Sequence, residues 1–240
     1  MSLTLVFVEA ALQTVPDEIR SHPQIKRYAR KREKPPEAVL LDRAHHHSAM
    51  KSLARATLPE KMGRPDIIHN SLLQVLETPL NWENKLSVFV HTQEEKLITI
   101  NPKIRLPKNY VRFVGLIEQL FANNRVPVEG EPLLTLERIT LKQFIEKHAS
   151  RPIGFSRIGN PELLRNVADS AAKLPVPIVF IGAFPRGHFT ETTRGLLSQI
   201  YSVDKCSLDT WVVAGRFVYD FEWSIGLAQK RLERGKIERQ

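Results

Sequence analysis

One cysteine, Cys206, stands in a chain of 240 residues, so neither an internal disulfide nor a multi-cysteine metal site can form. That usage fits a reducing compartment. No apolar run approaches the roughly 18 residues that cross a membrane. The opening MSLTLVFVEAAL has no basic leader and meets Glu9 after a few apolar residues, so it reads as a first strand and not as a signal peptide. The expectation is a soluble, intracellular protein. Three glycine-rich signatures are also missing. Without GxGxxG after a strand, a conventional dinucleotide-type or Rossmann methyltransferase loop is not expected. Without GxxxxGK[ST] no P-loop nucleotide site is suggested, and without GxSxG there is no hydrolase elbow.

Acidic side chains are in short supply as well. Asp and Glu total 26 against 35 Lys and Arg, a net charge of +9, which favours a polyanionic partner over an acidic surface. Hydrophobic content of 42% and charged content of 25% are those of an ordinary globular protein. Strand-like runs at residues 3–8, 38–41, 86–91, 97–100 and 177–181 alternate with helical patterns, which predicts an α/β fold with a largely parallel sheet. The clearest helix is 109–122, with Phe113, Val114, Ile117, Leu120 and Phe121 in one stripe. Another starts at Pro65 and turns Ile68, Leu72, Val75 and Leu76 inward. A last helix from about Leu208 carries Trp211, Val212, Gly215, Val218, Tyr219 and Glu222 on one side, ahead of a charged tail over 230–240. The basic, proline-bounded stretch 21–36 reads as a solvated surface helix with a loop or as an RNA-facing patch. A proline- and glycine-containing link at 126–132 is read as joining an insertion to the rest.

Few residues offer chemistry. His45, His46 and His47 are consecutive, so they cannot all face one ion from a regular backbone, and no carboxylate spacing completes a set. Asp42 before them suits a turn or helix cap. Arg64 and Asp66 flank Pro65 at a helix start. There Asp66 either serves the first turn or accepts a polarised N–H from a substrate, with Arg64 on a phosphate. If a helix begins near Pro107, Lys108 and Arg112 share a face at i and i+4 with Arg105 just ahead. That trio is either a phosphate clamp or a solvated basic face. Cys206 has no neighbouring histidine to activate it and reads as a small loop residue. Near the C-terminus IGAFPRGHF and IYSVDKCSLDTW place two loops one short helix apart, able together to wall a small-ligand pocket with backbone groups.

The ordered set LLDRAHHHSAM, GRPDIIHNSLL, VHTQ, RLPKNYVRFVGLIEQL and IGAFPRG, spread over essentially the whole chain, resembles the nucleolar essential protein, or Emg, family. These are pseudouridine-N(1) methyltransferases of small-subunit ribosomal RNA within the SPOUT superfamily. The resemblance implies one SPOUT domain over 1–240 with family-specific insertions and a C-terminal deep trefoil knot. It implies S-adenosyl-L-methionine bound in that knot against Gly182 and Gly187 and along the loop Val203, Asp204, Lys205, Cys206, Ser207 and Leu208. Ser207 stands where the family usually has proline. Arg64, Arg105, Lys108 and Arg112 fall on the family's RNA-binding cations, and Asp66 on the aspartate proposed to engage the target base. Relatives often carry arginine at position 108; lysine keeps the charge without the fork. The implied partners are small-subunit rRNA, a second copy of the chain in a homodimer, and ribosomal proteins or assembly factors, in the cytoplasm or the nucleolus. The rival reading is an rRNA-binding assembly factor without catalysis; a histidine-dependent metal hydrolase is the remaining alternative.

Overall fold

The computed structural model describes residues 1–53 and 58–234. The chain runs β1 (Leu3–Ala10), α1 (Asp17–Arg20), α2 (Pro23–Lys31), α3 (Arg43–Met50), α4 (Pro65–Leu76), α5 (Pro79–Trp82), β2 (Leu86–Thr92) and β3 (Lys96–Ile100). It continues through α6 (Tyr110–Asn123), β4 (Arg125–Val126), β5 (Leu134–Arg138), α7 (Leu141–His148), β6 (Ile153–Pro161) and α8 (Leu164–Ala171). The last elements are β7 (Ile178–Gly182), α9 (Glu191–Leu196), β8 (Gln199–Ser202), α10 (Thr210–Ser224) and α11 (Leu227–Glu233).

One sheet of order β4-β5-β3-β2-β1-β7-β6-β8 organises these elements. β2, β1, β7, β6 and β8 pair in parallel, while β3, β5 and β4 add an antiparallel wing. β1 is central because it is apolar on both faces. Leu3, Leu5 and Phe7 point into the larger core with α4, α6, α8 and α10, while Val6 and Val8 join Phe144, Phe180 and Phe189 on the other side. Each such large side chain, fully buried, contributes roughly 1.5–3 kcal/mol. The α/β architecture read from the sequence is thus present, with its parallel half carrying the loops discussed below.

Four local expectations are corrected. Residues 38–41 are not a sheet strand: prolines 35 and 36 set a 3-10 turn at Pro36–Ala38, and only Leu40 bridges, to Thr14. Val39 and Leu41 instead line a separate small core with Ile19, Ile25, Ala49 and Met62, while Leu40 joins the larger one. The stretch 126–132 links no insertion; most of it is the turn between β4 and β5. α10 buries Val213, Ala214, Phe217, Val218 and Phe221, whereas Tyr219 of the expected stripe is 59% exposed. The helix is apolar on two sides, and periodicity alone could not say which one the sheet takes. The charged tail from 230 begins within α11, and residues 235–240 lie outside the described part. The beginning of α6 is the fourth, and it bears on the site.

Candidate functional site

Parallel strands send their carboxyl ends to one edge of the sheet, where crevices form between departing loops. Here the loops after β7 and β8 close over a cavity of about 610 Å³, within the range of about 300–1,000 Å³ usual for small-molecule sites. Its walls include Gly182 and Gly187 from the first loop, and Val203, Asp204, Lys205, Cys206, Ser207 and Leu208 from the second. All eight residues singled out from the sequence for a cofactor therefore line one space. Arg186 and His188, within the first of the two loops read from the sequence, line it too, and Phe155, Ser156 and Arg157 of β6 add a wall that was missed. β6 carries no clean alternation, since its second half is largely exposed, so its pattern gave no signal.

Both glycines have local reasons. Gly187 sits at φ +90°, a conformation costly for any residue with a Cβ. At Gly182 a Cβ would meet the Phe184 ring at 2.8 Å. The Gly182 carbonyl accepts a 2.8 Å bond from the Thr210 hydroxyl, fastening the end of β7 to the start of α10. The second loop braces itself: the Asp204 carboxylate accepts the Cys206 N–H at 2.8 Å. Ser156 Oγ lies 3.3 Å from His188 Nδ1 across the cavity. Cys206 is exposed and free.

Behind the first loop lies an ion pair that sequence reading did not find. Lys61 Nζ donates to Glu9 Oε2 at 2.7 Å and to the His188 carbonyl, with its ammonium 4.1 Å from the Phe184 ring centre. Glu9 Oε1 in turn accepts from the Thr190 N–H at 2.7 Å and from its hydroxyl at 3.0 Å. Both charged side chains are 8% exposed. Such a pair holds a geometry more than it adds stability, because desolvation offsets much of its attraction. Here the geometry held is that of the loop 184–190. A carboxylate at the end of an otherwise apolar strand was the one available signal, and it pointed to no partner.

Backbone bonds through Ala11 and Ala183 connect Arg64 to the end of β7 beside this cavity. The Ala11 N–H donates to the Ala183 carbonyl at 2.8 Å, and the Arg64 N–H donates to the Ala11 carbonyl at 3.2 Å. The Arg64 guanidinium forks onto Asp66, Nε to Oδ1 and Nη2 to Oδ2, both at 2.7 Å. That bond, set against some burial, raises the Arg64 pKa. The fork uses two of the four lone-pair positions of the carboxylate and leaves two to accept from elsewhere.

The remaining cations flank the start of α6. The helix begins later than expected: Asn109 is its cap, its side chain accepting the Arg112 N–H at 3.1 Å. Lys108 therefore precedes the cap and shares no helical i, i+4 face with Arg112. A side-chain cap outweighed the first-turn preference of Pro107. Two bonds nevertheless fix the segment. His69 Nε2 lies 2.7 Å from the Pro107 carbonyl, and the Tyr110 hydroxyl donates to Asp42 Oδ2 at 2.6 Å. Burial, then this bond, holds the Tyr110 phenol above its usual range. Arg105, Lys108 and Arg112 are left exposed.

Asp42 caps α3 as read from the sequence, accepting the Ala44 N–H at 2.9 Å. His46 is fully buried with Nδ1 accepting the Asp42 N–H at 3.0 Å, while His45 and His47 are exposed. Burial pulls the His46 pKa down to about 4. Among the described residues no three His, Cys, Asp or Glu side chains gather to hold an ion.

Comparison with known proteins gives the geometry its setting. The sequence profile of the EMG1/NEP1 methyltransferase family matches residues 5–222. The ribosomal RNA small subunit methyltransferase Nep1 of Thermococcus kodakarensis is 39% identical over 227 residues, covering 94% of this chain and 100% of that protein. Its counterpart in Pyrococcus furiosus is 36% identical over 225 residues, 93% of this chain and 97% of that one. The crystal structure of Archaeoglobus fulgidus Nep1 bound to S-adenosylhomocysteine superposes with a TM-score of 0.82 at 35% identity, covering 94% of this chain and 100% of that one.

Proposed function

The chain belongs to the EMG1/NEP1 methyltransferase family, and from that premise we propose that it moves the methyl group of S-adenosylmethionine to N(1) of a pseudouridine in small-subunit ribosomal RNA. It is an S-adenosylmethionine-dependent rRNA methyltransferase; the acceptor atom and the residue roles are our reading. The observation that carries the reading is the proximity of the glycine-walled cavity and Arg64, whose backbone is linked through Ala11 and Ala183 to the end of β7 at the cavity wall.

The residues present fit the cofactor. Gly182 and Gly187 let the first loop take its course along the cavity wall, and the loop from Val203 to Leu208 offers peptide groups for the adenine and methionine parts. We take the segment after β7 to thread the deep knot of the superfamily. Bound there, S-adenosylmethionine supplies an electrophilic methyl on sulfonium sulfur. Pseudouridine presents an N(1)–H that uridine lacks, its N(1) being bonded to sugar. That methyl would pass in line to N(1), S-adenosylhomocysteine being the leaving group, and the N(1) proton would pass to the Asp66 carboxylate. Asp66 accepts that N–H through the lone pairs the fork leaves free, so it orients the base; positioning supplies much of the acceleration. Arg64, Arg105, Lys108 and Arg112 hold phosphates around a nucleotide drawn out of its stack.

One catalytic domain spans the chain on this reading, with the helices between β1 and α4 and the antiparallel wing as its insertions. It works as a homodimer, which the exposed Tyr219 and Trp223 on the outer side of α10 support. No described helix is long and apolar enough to cross a membrane. On this reading the chain works on ribosomal particles in the cytoplasm or nucleolus, with ribosomal proteins or assembly factors as further partners. The deciding experiment is methyl transfer from labelled S-adenosylmethionine to two rRNA-loop oligonucleotides differing only by pseudouridine or uridine at the target. Transfer to the pseudouridine strand alone is expected. Tight RNA binding without cofactor binding or transfer would favour the non-catalytic assembly factor.

A further inference from the structure

The densest positive charge outside the site lies on α2. Lys26, Arg27, Arg30 and Lys31 are all exposed, and at 100° per residue they fall within an arc of about 140°. Ile25 and Ala29 are buried on the opposite side, with Tyr28 and Arg32 half-buried beside them. The helix contains no acidic residue, and none of the four cations is in an ion pair among the described residues. A solvated helical face ordinarily alternates signs, since like charges a turn apart cost a few tenths of a kcal/mol each. This one accumulates a single sign.

The helix is also rigidly aimed. Arg32 and Lys34 donate to Glu118 of α6 at 2.8 and 2.6 Å, and Glu118 is itself buried and accepts the Leu40 N–H. Tyr28 stacks on His45 at 4.9 Å, and the Ala49 N–H bonds the Gln24 side chain at 3.0 Å. Glu118 follows Arg112 by six residues, about 9 Å along the helix axis. The clamp therefore docks α2 against the same helix whose first turn carries Arg112, with Arg105 and Lys108 in the loop just ahead, and Tyr110–Asp42 ties that turn to α3 beside it.

We propose that the outer face of α2 is a second phosphate-binding surface, which extends the RNA footprint beyond the loop holding the target nucleotide. Point charges on flexible stems, with no exposed aromatic among them, suit backbone phosphates and carry no base readout. The partner is thus a flanking stretch of the same RNA, engaged by charge and not by sequence. This inference rests on the rRNA reading above, yet its test reads binding alone.

The experiment uses the full chain and two pseudouridine-containing RNAs, the bare loop and the loop on a long stem, titrated by fluorescence anisotropy from 50 to 300 mM salt. Lys26→Gln, Arg27→Gln, Arg30→Gln and Lys31→Gln combined should lower the ratio of long-RNA to short-RNA affinity about tenfold or more. The same variant should flatten the long-RNA salt slope by about 3.6, at roughly 0.9 for each of four phosphate contacts. The charge-preserving pair Arg27→Lys and Arg30→Lys should retain the slope. If circular dichroism shows the fourfold variant misfolded, Lys26→Gln with Arg30→Gln should give about half the slope change. An unchanged ratio and slope overturns the proposal, as does loss confined to binding of phosphatidylserine vesicles. Failure of the parent chain to methylate either RNA would instead strike the catalytic reading and leave this binding result standing.

Discussion

The loop-walled cavity and the cation face at the start of α6 are built by different means. The cavity is walled by two loops, and those loops are held by buried partners: Thr210 on Gly182, Lys61 and Glu9 on residues 188 and 190. On the cation face Arg105, Lys108 and Arg112 are exposed, and burial is found behind them, at Asp42, His46 and His69. A site that must fix one small molecule needs its walls immobilised, because each loosened contact reduces affinity. A surface that meets a long polyanion gains most from charge at roughly the right place, and flexible cations suffice. Asp66 lies on the seam between the two.

Changes at that seam and in the cavity frame should therefore act sharply, and those on the face mildly. The largest effect is expected from Asp66→Ala, which should lower methyl transfer about 10²–10⁴-fold while S-adenosylmethionine affinity, by calorimetry, moves less than twofold. Equal loss of both would assign Asp66 to the cavity and erase the seam. Next comes Lys61→Met, which strands the buried Glu9 carboxylate and should cost about 3–5 kcal/mol in urea unfolding. A loss below 1 kcal/mol would mean the frame does not depend on this pair.

Behind the cation face, His46 tests whether rigidity there has a pH limit. Its folded pKa of about 4 lies below the unfolded value near 6.5, so the unfolded chain binds the extra proton between them. The contribution is complete above pH 6.5 and is lost as pH falls toward 4, by on the order of 3 kcal/mol. Unfolding at pH 7 and 4.5 should show His46→Gln less pH-dependent than the parent; parallel curves would refute the assignment. Smaller still, Gly187→Ala forces a Cβ into the φ +90° conformation at about 1–2 kcal/mol. That should appear as roughly tenfold weaker cofactor binding, whereas unchanged binding would free the first loop from the role given to it. The mildest is Arg112→Ala: stability within about 0.5 kcal/mol of the parent, and an RNA salt slope flatter by about 1. A steep loss of cofactor binding in this variant would dissolve the distinction between the regions.

Much was legible without coordinates because it is local. The alternation of strands with helices, the apolar stripe from Phe113 to Leu120, the Asp42 cap and the glycines at 182 and 187 are each written within a few residues. The motif order made the family recognisable. What the sequence could not give are pairings across long separations. Glu9 with Lys61 spans 52 residues and Thr190 with Glu9 spans 181, and neither carboxylate nor ammonium announces its partner. β6 joined the cavity wall unread because its outer half is exposed.

By itself, then, the sequence determined the class of elements, the residues with special backbone demands and the sign of the charge, since dihedral preference, periodicity and net charge are properties of short stretches and of composition. The tertiary structure alone decided which side of α10 faces the sheet, that Arg64 forks onto Asp66, that Glu118 clamps α2, and that the two loops enclose a single cavity. Those outcomes depend on which surfaces meet. Burial and desolvation, which select among the meetings, act only once distant parts of the chain have packed.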